Sequence, residues 1–177
     1  VDDCLLIGDK GNIEEAVKDI QKYFSIKREA TLQDYLSCEI VVDKTNKKAW
    51  IGQPHLLRKL ETEFGDVVKG IQPHKTPGTP HGALVKETTD EAVVSEEKHK
   101  QYRTGVGMLL YLQKYSRPDI SNAVRELSKC ANSSHEAAYK EMLRVINFVL
   151  NTKDLGLKFE IMLDKQLDEW ILVVYSD

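Results

Sequence analysis

The sequence has few cysteines, and the three it has do not form a recognisable set. The number of cysteines is odd, and no two of them have the spacing of a zinc-binding pair; they are Cys4, Cys38 and Cys130. A disulfide framework would need paired cysteines, and a zinc ribbon would need two CxxC pairs. We therefore expect three reduced thiols in an intracellular protein.

Long apolar runs are also absent. The longest, Val106–Leu112 and Ile171–Tyr175, are far shorter than the ~20 residues that cross a bilayer. No contact with a membrane is therefore predicted. The chain has no initiator methionine and no signal-peptide pattern, and it closes directly after an apolar run. We expect it to be a piece of a longer protein.

Neither sign of charge is in large excess. The 25 basic and 28 acidic residues give a formal net charge of -3. The chain as a whole is not basic, so any binding of nucleic acid has to depend on a local patch. Hydrophobic residues make up 41% of the sequence, which is enough apolar material for a folded core.

Clusters of metal-binding or nucleophilic side chains are missing too. The five histidines are scattered without ligand spacing, which argues against a zinc site or a catalytic histidine. No glycine-rich phosphate-binding loop is present, because Gly78 stands in a Thr-Pro-Gly-Thr-Pro turn. Zinc enzymes, histidine-dependent hydrolases and P-loop enzymes are therefore not predicted.

The first third of the chain predicts alternating strands and helices. An apolar run over Cys4–Gly8 indicates a strand, and the apolar spacing after it predicts a helix over 13–24. The segments 25–31, 35–42 and 49–52, the last two separated by a polar linker, indicate two or three antiparallel strands. A second helix is expected from 54 to 65, opened by a proline and ended by a glycine. This pattern is typical of an α+β fold.

A segment of different composition separates this unit from the rest. Residues 66–97 contain three prolines, three glycines and an acidic run, which predicts a long connecting segment. Helices are predicted after it, with short connections that favour antiparallel packing. The predicted elements are helices over 98–115, from 118 onward and over 135–151, and a terminal hairpin of strands at 157–163 and 170–175. The second and third of these helices each carry an apolar stripe at helical spacing.

Short motifs occur in a fixed order along the whole chain. Val1-Asp2-Asp3 stands before an apolar strand, as the end of a YxDD motif would. The others are LSCEI at 36–40, IGQPHLLRKLETEFG at 51–65, KTPGTP at 75–80, YRTGVGMLLYL at 102–112, SRPDISNAVRELSKCA at 116–131, LGLKF at 155–159 and YSD at 175–177. Each is weak alone, but the ordered set resembles the reverse transcriptase of copia-type retrotransposons.

This resemblance implies an α+β fold made of parts of two domains. A partial polymerase palm of antiparallel strands and helices is followed by a three-helix thumb-like region and a terminal β-hairpin of a ribonuclease H-like domain. The implied division is late palm over 1–65, connecting segment over 66–97, thumb-like region over 98–154 and start of ribonuclease H over 155–177.

The resemblance also implies the catalytic groups and their cofactor. Asp2 corresponds to the metal ligand of the YxDD motif, and Asp3 is its partner with a weaker claim to direct coordination. Asp177 corresponds to the first carboxylate of the ribonuclease H site. The implied reaction is RNA-directed DNA synthesis with Mg²⁺ as cofactor. The implied partners are an RNA/DNA template–primer, a dNTP and the remainder of the Pol polyprotein.

Some features of the family are missing. The tyrosine before Val1, the fingers, the upstream palm carboxylate and the later ribonuclease H acids are not in this chain. We therefore expect the chain alone to be inactive in both reactions. Ser37 stands where the family usually has glycine, which reduces backbone freedom near the expected primer grip.

The strongest positive stretch lies at residues 98–118, which contain no acid. Tyrosines and two glycines, Gly105 and Gly107, lie among its basic residues. One interpretation is a thumb helix that follows the template–primer backbone. The other is a solvated helix face whose tyrosines belong to the core. The candidate nucleic-acid-binding residues are Lys98, Lys100, Arg103, Lys114 and Arg117.

Two further interpretations stay open from sequence. A decayed element could persist as a non-catalytic module that binds nucleic acid or a protein. The segment could also be an open reading frame inside a dead transposon, without a function of its own. An intracellular location is expected, in a cytoplasmic particle or in the nucleus, and the sequence does not choose between them.

Overall fold

The computed structural model describes residues 4, 6, 8–28, 34–43, 45–79 and 93–160. Its helices and strands alternate in the first third of the chain, and helices dominate the rest. In chain order they are α1 (Lys10–Gln21), β1 (Asp34–Tyr35), β2 (Cys38–Asp43), β3 (Lys48–Gly52), α2 (Pro54–Val68), α3 (Glu96–Tyr115), a 3-10 turn (Pro118–Ile120), α4 (Ser121–Lys129), α5 (Glu136–Leu150) and β4 (Leu157–Glu160).

The α+β class predicted from sequence is confirmed. Helices α2 to α5 pack around one apolar core, which includes fully buried residues such as Leu60, Leu109 and Ile146. The apolar stripes predicted on α4 and α5 form much of this core. No helix in the described part of the chain is long and apolar enough to cross a membrane.

The four strands form one antiparallel sheet in the order β1-β2-β3-β4. Strand β4 pairs with β3, with Ile51 opposite Leu157 and Lys48 opposite Glu160. An ion pair of 3.0 Å between Lys48 Nζ and Glu160 Oε1 lies across this pair. The strand predicted at 157–163 therefore joins the strands of the first third in one sheet.

One face of this sheet is apolar. Because side chains alternate along a strand and register partners share a face, Ile40, Ile51 and Leu157 lie on the same side. Val42 and Phe159 share that side and are 53% and 51% exposed. Trp50, on the opposite face, lies against Gly52 and Gly156 and is half-buried.

Several predicted element bounds are wrong. Helix α1 begins at Lys10 and ends at Gln21, so Tyr23 and Phe24 lie beyond it and are exposed. Cys4 and Leu6 are not in a strand, since a strand needs a paired backbone and the described residues provide none there. Residues of the predicted strands at 161–163 and 170–175 lie outside the described part.

Helix α2 does not end at Gly65 as predicted. It continues to Val68, which is buried together with Phe64 against the other helices. The burial of one further valine, worth about 1.5 kcal/mol or more, outweighs the cost of about 1 kcal/mol for a glycine inside a helix. The division of the chain into palm, connecting, thumb-like and ribonuclease H parts stays a prediction.

The single strand predicted over 35–42 is divided by a tight turn. Leu36 and Ser37 both have positive φ, 53° and 58°, and they connect the paired residues Tyr35 and Cys38. Two-residue hairpins of this kind favour glycine or asparagine. Ser37, where the resemblance implies glycine, is thus held in a conformation that glycine adopts more easily.

Replacing Ser37 with glycine should stabilise the protein. Removing the Cβ at a positive φ relieves a steric cost of about 1 kcal/mol, so the urea midpoint should rise without a change in slope. Ser37→Ala is the matched control, because it removes the hydroxyl and keeps the Cβ. An equal gain in both variants would show that the hydroxyl, and not the backbone, carries the cost.

Candidate nucleic-acid interface

The exposed face of α3 carries three of the predicted cations. Arg103 follows Lys100 by three residues, and Lys114 follows Lys100 by fourteen. At about 100° per residue, these spacings place all three side chains within one third of the helix circumference. All three are exposed. Within the described part of the chain, no ion pair joins Lys100 or Arg103 to a carboxylate. The stripe is about 21 Å long at 1.5 Å per residue.

A shallow groove lies at the amino-terminal end of this stripe. Its volume is about 480 Å³, and Lys100 and Arg103 line it together with Glu96, His99 and Thr104. His99 is fixed by a 2.8 Å hydrogen bond between its Nδ1 and Ser134 Oγ. The groove can accept an anionic group between two cations, with Glu96 opposing it at the rim.

Two tyrosines of α3 contribute to the exposed surface. The rings of Tyr111 and Tyr115 are 4.8 Å apart, and Lys114 Nζ lies 5.1 Å from the Tyr115 ring centre. The Tyr111 hydroxyl donates a 3.0 Å hydrogen bond to the Leu36 carbonyl in the β1–β2 turn. This contact connects the basic face of α3 with the hairpin turn that contains Ser37.

Tyr102 belongs to the core instead. It is fully buried, and its hydroxyl donates a 2.6 Å hydrogen bond to the Leu127 carbonyl. Burial raises the pKa of this phenol well above its ordinary value. Tyr102 is therefore not a surface for base stacking, while Tyr111 and Tyr115 remain accessible.

Lys98 points away from the other cations. It lies about 160° around the helix from Lys100, and its Nζ pairs with Glu136 at 3.0 Å. The same ammonium lies 5.2 Å from the Tyr139 ring centre. Lys98 thus connects α3 with α5, and its charge is largely compensated within the protein.

Arg117 is a correction to the predicted set, because its guanidinium is not on the surface. The residue is 1% exposed. Its Nε and Nη2 donate to the two oxygens of Asp119, both at 2.9 Å. Its Nη1 and Nη2 donate to the Thr152 carbonyl and hydroxyl at 3.0 and 2.8 Å. Because the guanidinium is buried and its nitrogens already donate to Asp119 and Thr152, it cannot also bind a phosphate.

The two glycines of α3 have different surroundings. A Cβ at Gly105 would come within 2.5 Å of Met142 Sδ and 3.1 Å of Phe64 Cζ, so a side chain there would displace these core side chains. A Cβ at Gly107 would meet no atom within 4 Å. Gly107 lies on the basic face between Arg103 and Lys114, and no packing contact among the described residues explains it.

The predicted catalytic carboxylates Asp2, Asp3 and Asp177 lie outside the described residues. In the part that is described, no three histidine, cysteine or acidic side chains lie close enough together to hold a metal ion. The Mg²⁺ cofactor therefore stays a prediction, as do the roles of these three residues.

One polar contact that the sequence did not predict connects two motifs. The Ser116 hydroxyl donates a 2.7 Å hydrogen bond to Gln53 Oε1, and both residues are buried. Gln53 precedes Pro54 at the start of α2, and Ser116 follows α3. The signal for this contact in the sequence is weak, since it consists of a polar residue one or two positions before a proline.

The chain is similar to parts of several known proteins, among them a transposon polyprotein and a secreted effector. The chain is 32% identical over 154 residues to the retrovirus-related Pol polyprotein from transposon TNT 1-94 of Nicotiana tabacum, covering 82% of this chain and 11% of that protein. It is 32% identical over 62 residues to secreted RxLR effector protein 161 of Plasmopara viticola, covering 35% of this chain and 44% of the effector. No family model and no solved structure matches significantly.

Proposed function

Similarity over 82% of the chain supports descent from a retrotransposon Pol polyprotein, and we propose that this chain is a fragment of the reverse transcriptase of such a polyprotein. In this proposal the helices α3 to α5 form a thumb-like part that binds the template–primer. Asp2 and Asp3 hold Mg²⁺ for RNA-directed DNA synthesis in the intact protein, and Asp177 belongs to its ribonuclease H site.

The exposed cationic face of α3 is the observation that carries the binding role. The three cations Lys100, Arg103 and Lys114 share one helix face. Among the described residues, no carboxylate forms an ion pair with Lys100 or Arg103. Phosphate groups are the ligands that such a row of cations binds. Gly107 gives the face a point without a side chain, where a nucleic-acid backbone can come close to the helix.

The test is binding of a recessed RNA/DNA template–primer duplex over a salt series. With three phosphate contacts the slope of log K against log salt should be about -2.7, so affinity should fall about 40-fold between 50 and 200 mM salt. The triple variant Lys100→Glu, Arg103→Glu, Lys114→Glu should lose this dependence and bind weakly at low salt.

A matched control separates the site from overall charge. Lys18, Lys59 and Lys69 are exposed outside the helices α3 to α5, and their triple replacement by glutamate gives the same formal charge. We expect this control to keep the steep slope. Equal losses in both triple variants, or no binding by the wild-type chain at low salt, would contradict the proposal. The second outcome would favour a remnant that contacts proteins only.

A further inference from the structure

The segment 71–79 between α2 and α3 has no helix or strand, yet it is attached to α5. Asn147 Nδ2 donates a 3.2 Å hydrogen bond to the Ile71 carbonyl at one end of the segment. At the other end, Thr79 binds Glu141. Ile71 also packs against the apolar core, so the polar contact with Glu141 matters most at the Thr79 end of the segment.

Thr79 makes the shortest of these contacts. Its amide donates to Glu141 Oε1 at 2.6 Å, and its hydroxyl donates to Glu141 Oε2 at 2.7 Å. A single carboxylate thus accepts both donors of one threonine. Among the described residues, the cationic group near Glu141 is Arg144, whose Nε lies 4.0 Å from Oε1. The side-chain contact therefore requires that the Thr79 hydroxyl keep its hydrogen, which it donates to Glu141.

The sequence places this threonine before a proline in an accessible stretch. Thr76 precedes Pro77 and Thr79 precedes Pro80, and both threonines are exposed. We propose that Thr79 is a phosphorylation site for a proline-directed serine/threonine kinase, and that phosphorylation releases segment 71–79 from α5. This regulation goes beyond the proposed binding of nucleic acid and does not depend on it.

The chemistry of the step explains the release. The Thr79 hydroxyl oxygen attacks the γ-phosphorus of ATP, the bond between that phosphorus and the β–γ bridging oxygen breaks, and ADP leaves. The hydroxyl proton passes to the base of the kinase. The product has no hydroxyl donor for Glu141 and carries a charge of about -1.5 to -2 beside its carboxylate. A hydrogen bond is thereby replaced by repulsion.

Thr76 has opposite surroundings and serves as an internal comparison. Its hydroxyl oxygen lies 3.4 Å from Arg144 Nη2. Arg144 Nε is buried and has no hydrogen-bond partner among the described residues. A phosphate at Thr76 would therefore meet a guanidinium with donors to spare. We expect phosphorylation of Thr76 to hold segment 71–79 in place.

The first experiment treats the purified full chain with a proline-directed kinase and ATP. We expect phosphate at Thr79, located by fragmentation mass spectrometry. We also expect the Thr79 amide hydrogen to exchange about tenfold faster, which corresponds to about 1.4 kcal/mol. Lack of phosphate at Thr79 in the folded chain, while the urea-unfolded chain accepts it, would overturn the proposal. Phosphate without faster exchange would overturn the release.

Charge variants test the same mechanism without a kinase. Thr79→Glu should accelerate exchange in segment 71–79, and Thr76→Glu, the matched control with the same charge, should not. Adding Glu141→Lys to Thr79→Glu should restore slow exchange, because a lysine then faces the introduced carboxylate. Equal acceleration by Thr79→Glu and Thr76→Glu, or no restoration by lysine, would show that charge against Glu141 is not the cause.

Discussion

Replacing Arg117 with alanine should lower the free energy of unfolding by about 3 kcal/mol and leave binding of nucleic acid by the folded protein unchanged. The guanidinium connects the 3-10 turn before α4, through Asp119, with the residues that follow α5, through Thr152. It also lies 5.7 Å from the Phe148 ring centre. Its removal leaves a cavity and ends these contacts together.

The measurement is urea unfolding combined with the duplex-binding assay. Arg117→Lys should lose less stability than alanine, although one ammonium cannot reproduce the two-pronged bond to Asp119. The reciprocal control is Arg103→Ala on the exposed face of α3, which should change stability by less than about 0.5 kcal/mol and weaken binding. If Arg117→Ala kept its stability but bound the duplex poorly, its assignment to the interior would be wrong.

Replacing Gly105 with valine should destabilise the protein by about 2 kcal/mol or more, because the core has no room for the added atoms. An atom at the Cβ position would approach Met142, Phe64 and Ile146 Cδ1, the last at 3.3 Å. Valine is a better helix former than glycine by a few tenths of a kcal/mol, and this gain is small beside the steric cost.

Gly107→Val is the matched control for this prediction. The Cβ position at Gly107 is open, so the same substitution on the same helix should be close to neutral in thermal unfolding. Because Gly107 lies on the proposed binding face, its valine variant should bind the duplex more weakly. Equal destabilisation at the two positions would mean that helix propensity, and not packing, decides both.

The helical half of the fold could be predicted because its signals are local. Apolar residues at helical spacing identified α4 and α5, and short connections indicated that they pack against their neighbours. The start of α3 was predicted two residues late, since Ser95 caps it by accepting a 3.4 Å hydrogen bond from the Lys98 amide. A serine before two glutamates was the available sign of this cap.

Contacts between distant residues could not be predicted in the same way. Nothing in the sequence near Leu157 indicates that this strand pairs with β3, because strand pairing depends on the whole fold. Likewise, a count of basic residues treats Arg117 and Arg103 alike. Only Asp119, two positions after Arg117, indicated an internal partner, and that pair was also compatible with a simple helix start.

The composition of residues 98–118 predicted the candidate interface, and the structure separates its exposed cations from those that have partners within the protein. An acid-free stretch identified the helix that carries the exposed cations, but helical spacing already separates Lys98 from Lys100 by more than a third of a turn. The carboxylate that compensates Lys98 comes from α5, at Glu136. Local sequence therefore indicated where cations lie, and tertiary structure determined which of them face outward.

The pairing of β4 with β3 has a consequence for synthesis on the ribosome. The last residues of β3 are made about 100 positions before Leu157, which corresponds to roughly 5 to 20 s of translation at about 5–20 residues per second. During this interval the nascent chain presents an open β3 edge next to the apolar side chains Ile40, Val42 and Ile51. Until β4 emerges, this unpaired edge and its apolar neighbours are therefore open to non-native strand pairing.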